Sequence, residues 1–269
     1  MPYVKSNGIK IYYEEFGSGE PLVLIAGMGY GLWMWHRMIP GLAQNFRVVA
    51  FDNRGAGNTD KPDGPYSAEM LGKDTAGLMD ALGLAGAAVM GHSMGGFVAQ
   101  ELAVTRPDLV GKLILSGTNF GGPNHVPLTP EGLKAILDRS GDPLDVLKRG
   151  VTLAAAPGFT ERQPAVFDEI IAYRLTMPVP PAQWQAQTAV GLGLVTLDAS
   201  YEPKLSQLKM PTLILFGAHD RVVPPANAEL FRQRIANSVV KLIPDAGHIF
   251  PLETPVEANE IVIGFITSA

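Results

Sequence analysis

Short apolar runs that do not alternate with polar residues constrain this chain most. Residues 21–26 read Pro-Leu-Val-Leu-Ile-Ala, and similar runs recur at 48–51, 87–90 and 113–115, while further strands are read late in the chain at 212–216 and 239–243. A strand with one wet face would alternate. An unbroken run predicts a strand buried on both faces, as in a parallel sheet covered by helices. Helical spacing fills the gaps at 33–44, 67–82, 94–105, 226–235 and 255–266. In the second of these, Ser67 is placed to cap the helix, and Met70, Leu71, Leu78, Met79 and Leu82 share a face. Such alternation predicts an α/β protein, a doubly wound sheet with right-handed crossovers. Ahead of it, residues 9–13 follow Ser-Asn-Gly and read as the second arm of a hairpin.

Between 123 and 208 the strand signal vanishes. Helical pieces replace it at 130–139, 143–154, 162–177 and 181–192. The reading is a core domain built from 1–122 and 209–269, with a helical cap at 123–208 inserted into it. The cap is expected to set substrate choice and to leave the chemical machinery alone. Its uncharged stretch at 175–197 carries Pro178, Pro180, Pro181, Gln183, Gln185 and Gln187, so it does not read as a membrane span. That stretch is expected to bury Leu175, Met177, Val179, Trp184 and Val190 at the mouth of the site.

Net charge is −5, from 21 basic and 26 acidic residues, with no run of Lys or Arg. That argues against a nucleic-acid partner or an anionic membrane surface. With no Cys there is no disulfide, thiolate nucleophile or iron–sulfur ligand set. The first residues lack an apolar leader, so the expectation is a cytoplasmic protein. A homodimer stays open.

The chemistry is carried by Gly91-His92-Ser93-Met94-Gly95, between the strand at 87–90 and the helix from 94. A sharp strand-to-helix turn presents a nucleophile on a strained backbone, and its flanking glycines give room for neighbouring chain. Ser93 is the candidate nucleophile, and the Met94 amide at the helix start is a candidate oxyanion donor. Serine needs a base. His248, in Pro244-Asp245-Ala246-Gly247-His248 after the last strand, returns to the same sheet edge. His36, His92 and His219 read as structural, and His125 as a pocket residue. In this order of elements the orienting acid lies between serine and base, which selects Asp220 at the end of the 212–216 run. The second oxyanion donor is placed at the Met28 amide, in Gly27-Met28-Gly29. Gly27, Tyr30, Trp33, Phe120, His125 and Trp184 are the expected substrate-binding walls.

These residues resemble the α/β-hydrolase family, in particular its small bacterial branch of carboxylesterases, enol-lactonases such as 3-oxoadipate enol-lactonase, cofactor-free haloperoxidases and carbon–carbon bond hydrolases. The resemblance rests on Gly27-Met28-Gly29, the segment from Asp52 to Gly57, Gly91 to Gly96, the segment from Pro211 to Asp220, Ala246-Gly247-His248 and Glu253-Thr254-Pro255. Ala26 departs from it, since relatives usually carry His there. The resemblance implies an eight-stranded, mostly parallel sheet flanked by helices, with Asp52 and Arg54 in structural roles. It also implies a Ser-His-Asp hydrolase acting on a small ester or lactone without cofactor or metal. Carbon–carbon bond hydrolysis and perhydrolysis are the alternatives on the same fold.

Two readings from other classes remain. A dinucleotide-binding protein would use the Gly-rich loop at 27–31 with Asp52, but its third glycine position holds Leu32. A non-catalytic ligand-binding protein on the same fold could keep the whole triad. A metallohydrolase reading finds no support, since the sequence has neither a His-Glu-x-x-His motif nor a close His/Asp cluster.

Overall fold

The computed structural model describes residues 2–268 other than 195 and 197. Val195 and Leu197 of the uncharged stretch at 175–197 therefore lie outside the described residues. Eight strands form one sheet: β1 (Tyr3–Ser6), β2 (Ile9–Phe16), β3 (Glu20–Ile25), β4 (Phe46–Phe51), β5 (Ala87–His92), β6 (Val110–Ser116), β7 (Thr212–Gly217) and β8 (Ser238–Ile243). Their order is β1-β2-β4-β3-β5-β6-β7-β8. The β1–β2 and β2–β4 pairs are antiparallel and the remaining five are parallel. Asn7 and Gly8, both at positive φ, turn the β1–β2 hairpin.

The unbroken apolar runs are explained by two cores. On β3, Leu22 and Leu24 enter one core while Val23 and Ile25 enter the other. Ala88 and Met90 of β5 go with the first pair and Val89 with the second. Side chains on a strand alternate between faces, so both sets must be apolar when both faces are covered.

The covering helices are α1 (Ile39–Leu42), α2 (Ala68–Leu82), α3 (Met94–Thr105), α9 (Ala226–Arg234), α10 (Phe250–Glu253) and α11 (Pro255–Thr267). Between β6 and β7 the chain inserts α4 (Pro130–Leu137), α5 (Pro143–Ala154), α6 (Phe159–Arg162), α7 (Pro164–Thr176) and α8 (Pro181–Leu192), and no strand among the described residues. Ser67 caps α2 by accepting from the Met70 amide.

Two expected helices are broken. The span 33–44 becomes a 3₁₀ turn at Leu32–Trp35 and the short α1. The span 162–177 becomes α6 and α7, divided at Gln163. In each case a proline, Pro40 or Pro164, lacks the amide that would continue the ladder, so the helix restarts around it. No helix among the described residues is long and apolar enough to cross a membrane.

The register sets up the site. Ile25 pairs with Gly91, His92 with Ser116, and Gly217 with Ile243. The C-terminal ends of β3, β5, β6, β7 and β8 therefore align. In an open α/β sheet this edge, where strand order reverses, is where ligands bind. Here the reversal lies between β3 and β5.

Candidate active site

Ser93 joins β5 to α3 at φ 55° and ψ −119°. Non-glycine residues adopt positive φ rarely, and such strain persists only where surroundings enforce it. Here they do. The Ser93 amide donates to the Ser116 carbonyl at 2.9 Å, and the Thr118 hydroxyl donates to the Ser93 carbonyl at 2.8 Å. A side chain at Gly91 would strike the Gly95 carbonyl, and one at Gly95 the Ile25 carbonyl. The glycines of the motif are thus required by close approach of backbone.

The Ser93 hydroxyl lies 3.1 Å from His248 Nε2, and His248 Nδ1 lies 2.7 Å from Asp220 Oδ2. Asp220 is buried, and its other oxygen accepts from the Val222 and Val223 amides, each at 2.8 Å. This fixes the carboxylate plane and leaves one oxygen for the histidine. Sequence reasoning placed these three residues at one edge, and the structure brings them into one hydrogen-bonded chain.

The Met94 amide is the first of α3, so it has no carbonyl one turn back within the helix. Gly27 backs directly onto Ser93, since a Cβ there would lie 3.1 Å from the Ser93 Cβ. The loop bearing Met28 is held from several sides. Asn53 donates to the Ala26 carbonyl at 2.9 Å, and the Gly29 amide donates to Gln187 Oε1 at 2.9 Å. Arg174 donates to the Gly29 carbonyl. Asp52 accepts from the Leu32 and Asn58 amides, and Arg54 pairs with Asp74 in a buried bridge.

Two cavities open on Ser93. The larger, of about 260 Å³, is walled by Phe97, Leu128, Leu133, Ile136, Leu192 and Leu194, with His125 also lining it. The smaller, of about 90 Å³, is lined by Gly27, Tyr30, His248, Arg139, Arg174 and Trp184 among others. Four expected wall residues, Gly27, Tyr30, His125 and Trp184, therefore do line the site. Trp33 and Phe120 do not. Trp33 is buried behind Tyr30 and stacks on Tyr173 of α7 with centroids 5.0 Å apart. Phe120 is fully buried against Phe231 of α9.

The uncharged stretch is also corrected. Leu175 is 51% exposed, Met177 packs with the α5–α7 cluster, and Val190 joins the main core. Of the five apolar residues expected at the mouth, only Trp184 lines a cavity. Helical spacing tells which residues share a face, but not which neighbour that face meets.

The insertion also touches the machinery, against expectation. The His248 amide donates to the Ala154 carbonyl at 2.6 Å. A Cβ at Gly247 would meet the backbone of Ala155 and Ala156. Glu253 clasps the two parts together. One carboxyl oxygen accepts from the Gly247 amide at 3.0 Å, the other from the Ala156 amide at 2.8 Å. Burial pushes this carboxyl up to about 7, outweighing those two amides, which pull it down. His92 lies behind the triad, its ring 4.8 Å from that of His248, and it bonds Ser116 at 2.9 Å. Burial, and then the His248 charge, hold it well below the usual histidine range, so it stays neutral. The sequence marks Glu253 only as part of the resemblance and gives no sign of Gln187, because both act on backbone, which leaves no spacing signature.

Among the described residues no group of His, Cys, Asp or Glu is placed to hold a metal. A family model described as "alpha/beta hydrolase fold" matches residues 20–255. A putative carbamate hydrolase of Azorhizobium caulinodans is 29% identical over 265 residues, covering 98% of each chain. The solved structure of an esterase from Thermogutta terrifontis matches with TM-score 0.84 at 27% identity, covering 99% of this chain and 98% of that one. An enol-lactonase structure from Burkholderia xenovorans matches with TM-score 0.81 at 29% identity, covering 99% and 100%.

Proposed function

Because the chain belongs to the α/β-hydrolase family, we propose that it is a serine hydrolase that cleaves a carboxylic ester or lactone through an acyl-enzyme on Ser93. The observation that carries this reading is the continuous chain from the strained Ser93 through His248 to Asp220, at 3.1 and 2.7 Å. The esterase and enol-lactonase likenesses support the same bond class.

In this mechanism Ser93 Oγ attacks the carbonyl while His248 Nε2 takes its proton. Asp220 holds the Nδ1–H tautomer and stabilises the imidazolium that forms. The Met28 and Met94 amides receive the oxyanion. His248 then protonates the leaving alkoxide, and a water activated by the same histidine releases the acyl group. A lactone follows the same course, with its alcohol still tethered to the acyl chain. The neutral His92 behind His248 adds no competing positive charge when the imidazolium forms.

We take residues 123–208 as the cap that selects the substrate. Among the described residues, no Asp, Glu, Lys or Arg lines the larger cavity, which suits an apolar portion of the substrate. The test is a panel of esters and lactones graded in chain length, run beside labelling with a serine-directed phosphonate. Turnover together with a single adduct on Ser93 is expected. An adduct elsewhere, with Ser93→Ala still active, overturns the assignment.

A further inference from the structure

The insertion sends two arginines to the small recess beside Ser93, and neither meets an acid. Arg139 follows α4, and its Cζ lies 4.2 Å from the centroid of the Trp184 ring. Arg174 on α7 lies 5.8 Å from the same ring and 4.4 Å from that of Tyr30. Both line the recess with Ser93 and His248. Neither forms an ion pair among the described residues, and no Asp or Glu lines the recess. Six other arginines, Arg37, Arg47, Arg54, Arg106, Arg232 and Arg234, each face a carboxylate, while Arg149, Arg162 and Arg221 donate to backbone carbonyls outside the recess.

Two cations sharing one indole repel each other, and each has given up some water to reach it. Lost hydration, and then the Arg174 charge, lower the Arg139 pKa. Arg174 donates to the Gly29 carbonyl, yet its Nε is buried without a partner. Arg139 has no hydrogen bond among the described residues. An uncompensated pair of guanidiniums facing a nucleophile in a chain of net charge −5 is a local reversal of sign. The planar donor fork of arginine matches a planar two-oxygen anion.

We propose that this recess is a carboxylate subsite: the enzyme acts on esters or lactones that carry a free carboxylate on a short arm, held by Arg139 and Arg174 while the apolar part fills the larger cavity. The inference rests on Ser93 being the nucleophile. Trp184 and Tyr30 keep the guanidiniums in place by stacking, and the aliphatic walls at Val151, Ala154 and Ile249 leave the arginines as the cationic side chains of the recess.

The test compares monoethyl glutarate with ethyl 5-methylhexanoate, a neutral ester of matched shape. The wild type should favour the charged ester in kcat/KM. Arg139→Gln should lower kcat/KM for that ester roughly tenfold to a hundredfold more than for its neutral twin, the range expected for a lost charged hydrogen bond. Arg139→Lys should recover part of the loss. Equal losses on both esters, or a wild-type preference for the neutral one, overturn the proposal.

A second measurement does not depend on turnover. Glutarate and inorganic phosphate are titrated against Ser93→Ala, read by tryptophan fluorescence and calorimetry. Saturable glutarate binding, weakened by Arg139→Gln, supports the subsite. No glutarate binding, or phosphate binding more tightly, overturns it. If no ester is cleaved at all, the serine-hydrolase reading fails and this titration alone decides the subsite.

Discussion

The sheet edge and the helical insertion meet at the same cavity but are built differently. At the edge, Ser93, Asp220 and His248 are tied to backbone and to one another, and Asp220 and His248 are buried. The insertion carries Leu133, Leu137, Leu144, Leu175 and Leu192 among the nine large apolar side chains exposed in the described residues. A displacement of about 1 Å can cost a hundredfold in rate, so reacting groups call for a rigid mount. Cavity walls need only the right shape and polarity. Yet the division is incomplete, because Gln187, Arg174 and the backbone of Ala154 and Ala156 reach across to brace the edge.

The sharpest way to break this comparison is to remove the nucleophile. Ser93→Ala should lower turnover by roughly six orders of magnitude, or about 8 kcal/mol, with the fold retained. Circular dichroism checks the fold and ester kinetics the rate. Ser93→Gly should be equally inactive but more stable than Ser93→Ala, since glycine relieves a positive-φ strain of about 1–3 kcal/mol. Equal melting temperatures for the two variants would mean that the turn is not strained.

Next in size is Asp220→Asn, expected to slow turnover by up to ~10⁴ with little change in stability. The amide nitrogen can face His248 Nδ1 and favour the wrong tautomer. Near-normal rates would move the orienting role elsewhere, and Asp245→Asn is the comparison to run beside it.

The difference between the two regions also explains what could be read from sequence. Strands at the edge announce themselves, since Leu22 to Ile25 must be apolar on both faces. Gly91 and Gly95 announce the turn because no side chain fits there. In the insertion, helices α5 and α8 were placed to the residue by proline starts and apolar spacing. Their inward faces were not. Trp33 and Phe120 have the composition of pocket walls, but tertiary packing turned one onto Tyr173 and the other onto Phe231. Arg139 and Arg174 look like solvated helix residues until the absence of acids around them is known.

The joint between the regions gives a smaller effect with a definite sign. Glu253 takes up its proton near pH 7 when folded and near 4.5 as an ordinary carboxyl. Between those values the folded state binds more protons than the unfolded one. Stability from this group is therefore full below about 4.5 and falls as pH rises through 7, by about 3 kcal/mol. Glu253→Gln removes the titration. Urea unfolding at pH 5 and pH 8 should show the decline in wild type and a flatter profile in the variant. Parallel profiles would mean that the clasp does not titrate in this range.

The smallest effect compares the two walls of the larger cavity. Phe97 belongs to α3 on the sheet side, and Leu192 ends α8 on the insertion side. Both line the cavity, and α8 approaches Phe97 at Gly191, where a Cβ would sit 3.8 Å from the Phe97 ring. Leu192 is 56% exposed, so Leu192→Ala removes little buried surface and should leave stability within about 0.5 kcal/mol. Phe97 packs against the main core, and its truncation should cost more stability. Both changes enlarge the same space, where one methylene is worth ~1–3 kcal/mol of discrimination. Both should therefore shift preference toward longer chains, measured as kcat/KM across a graded series of esters. A shift with Phe97→Ala alone would assign chain-length selection to the sheet side and leave the insertion with the charged recess. A uniform loss on every ester from Leu192→Ala would instead show that α8, through Gln187 and the loop at Met28, positions the reacting groups.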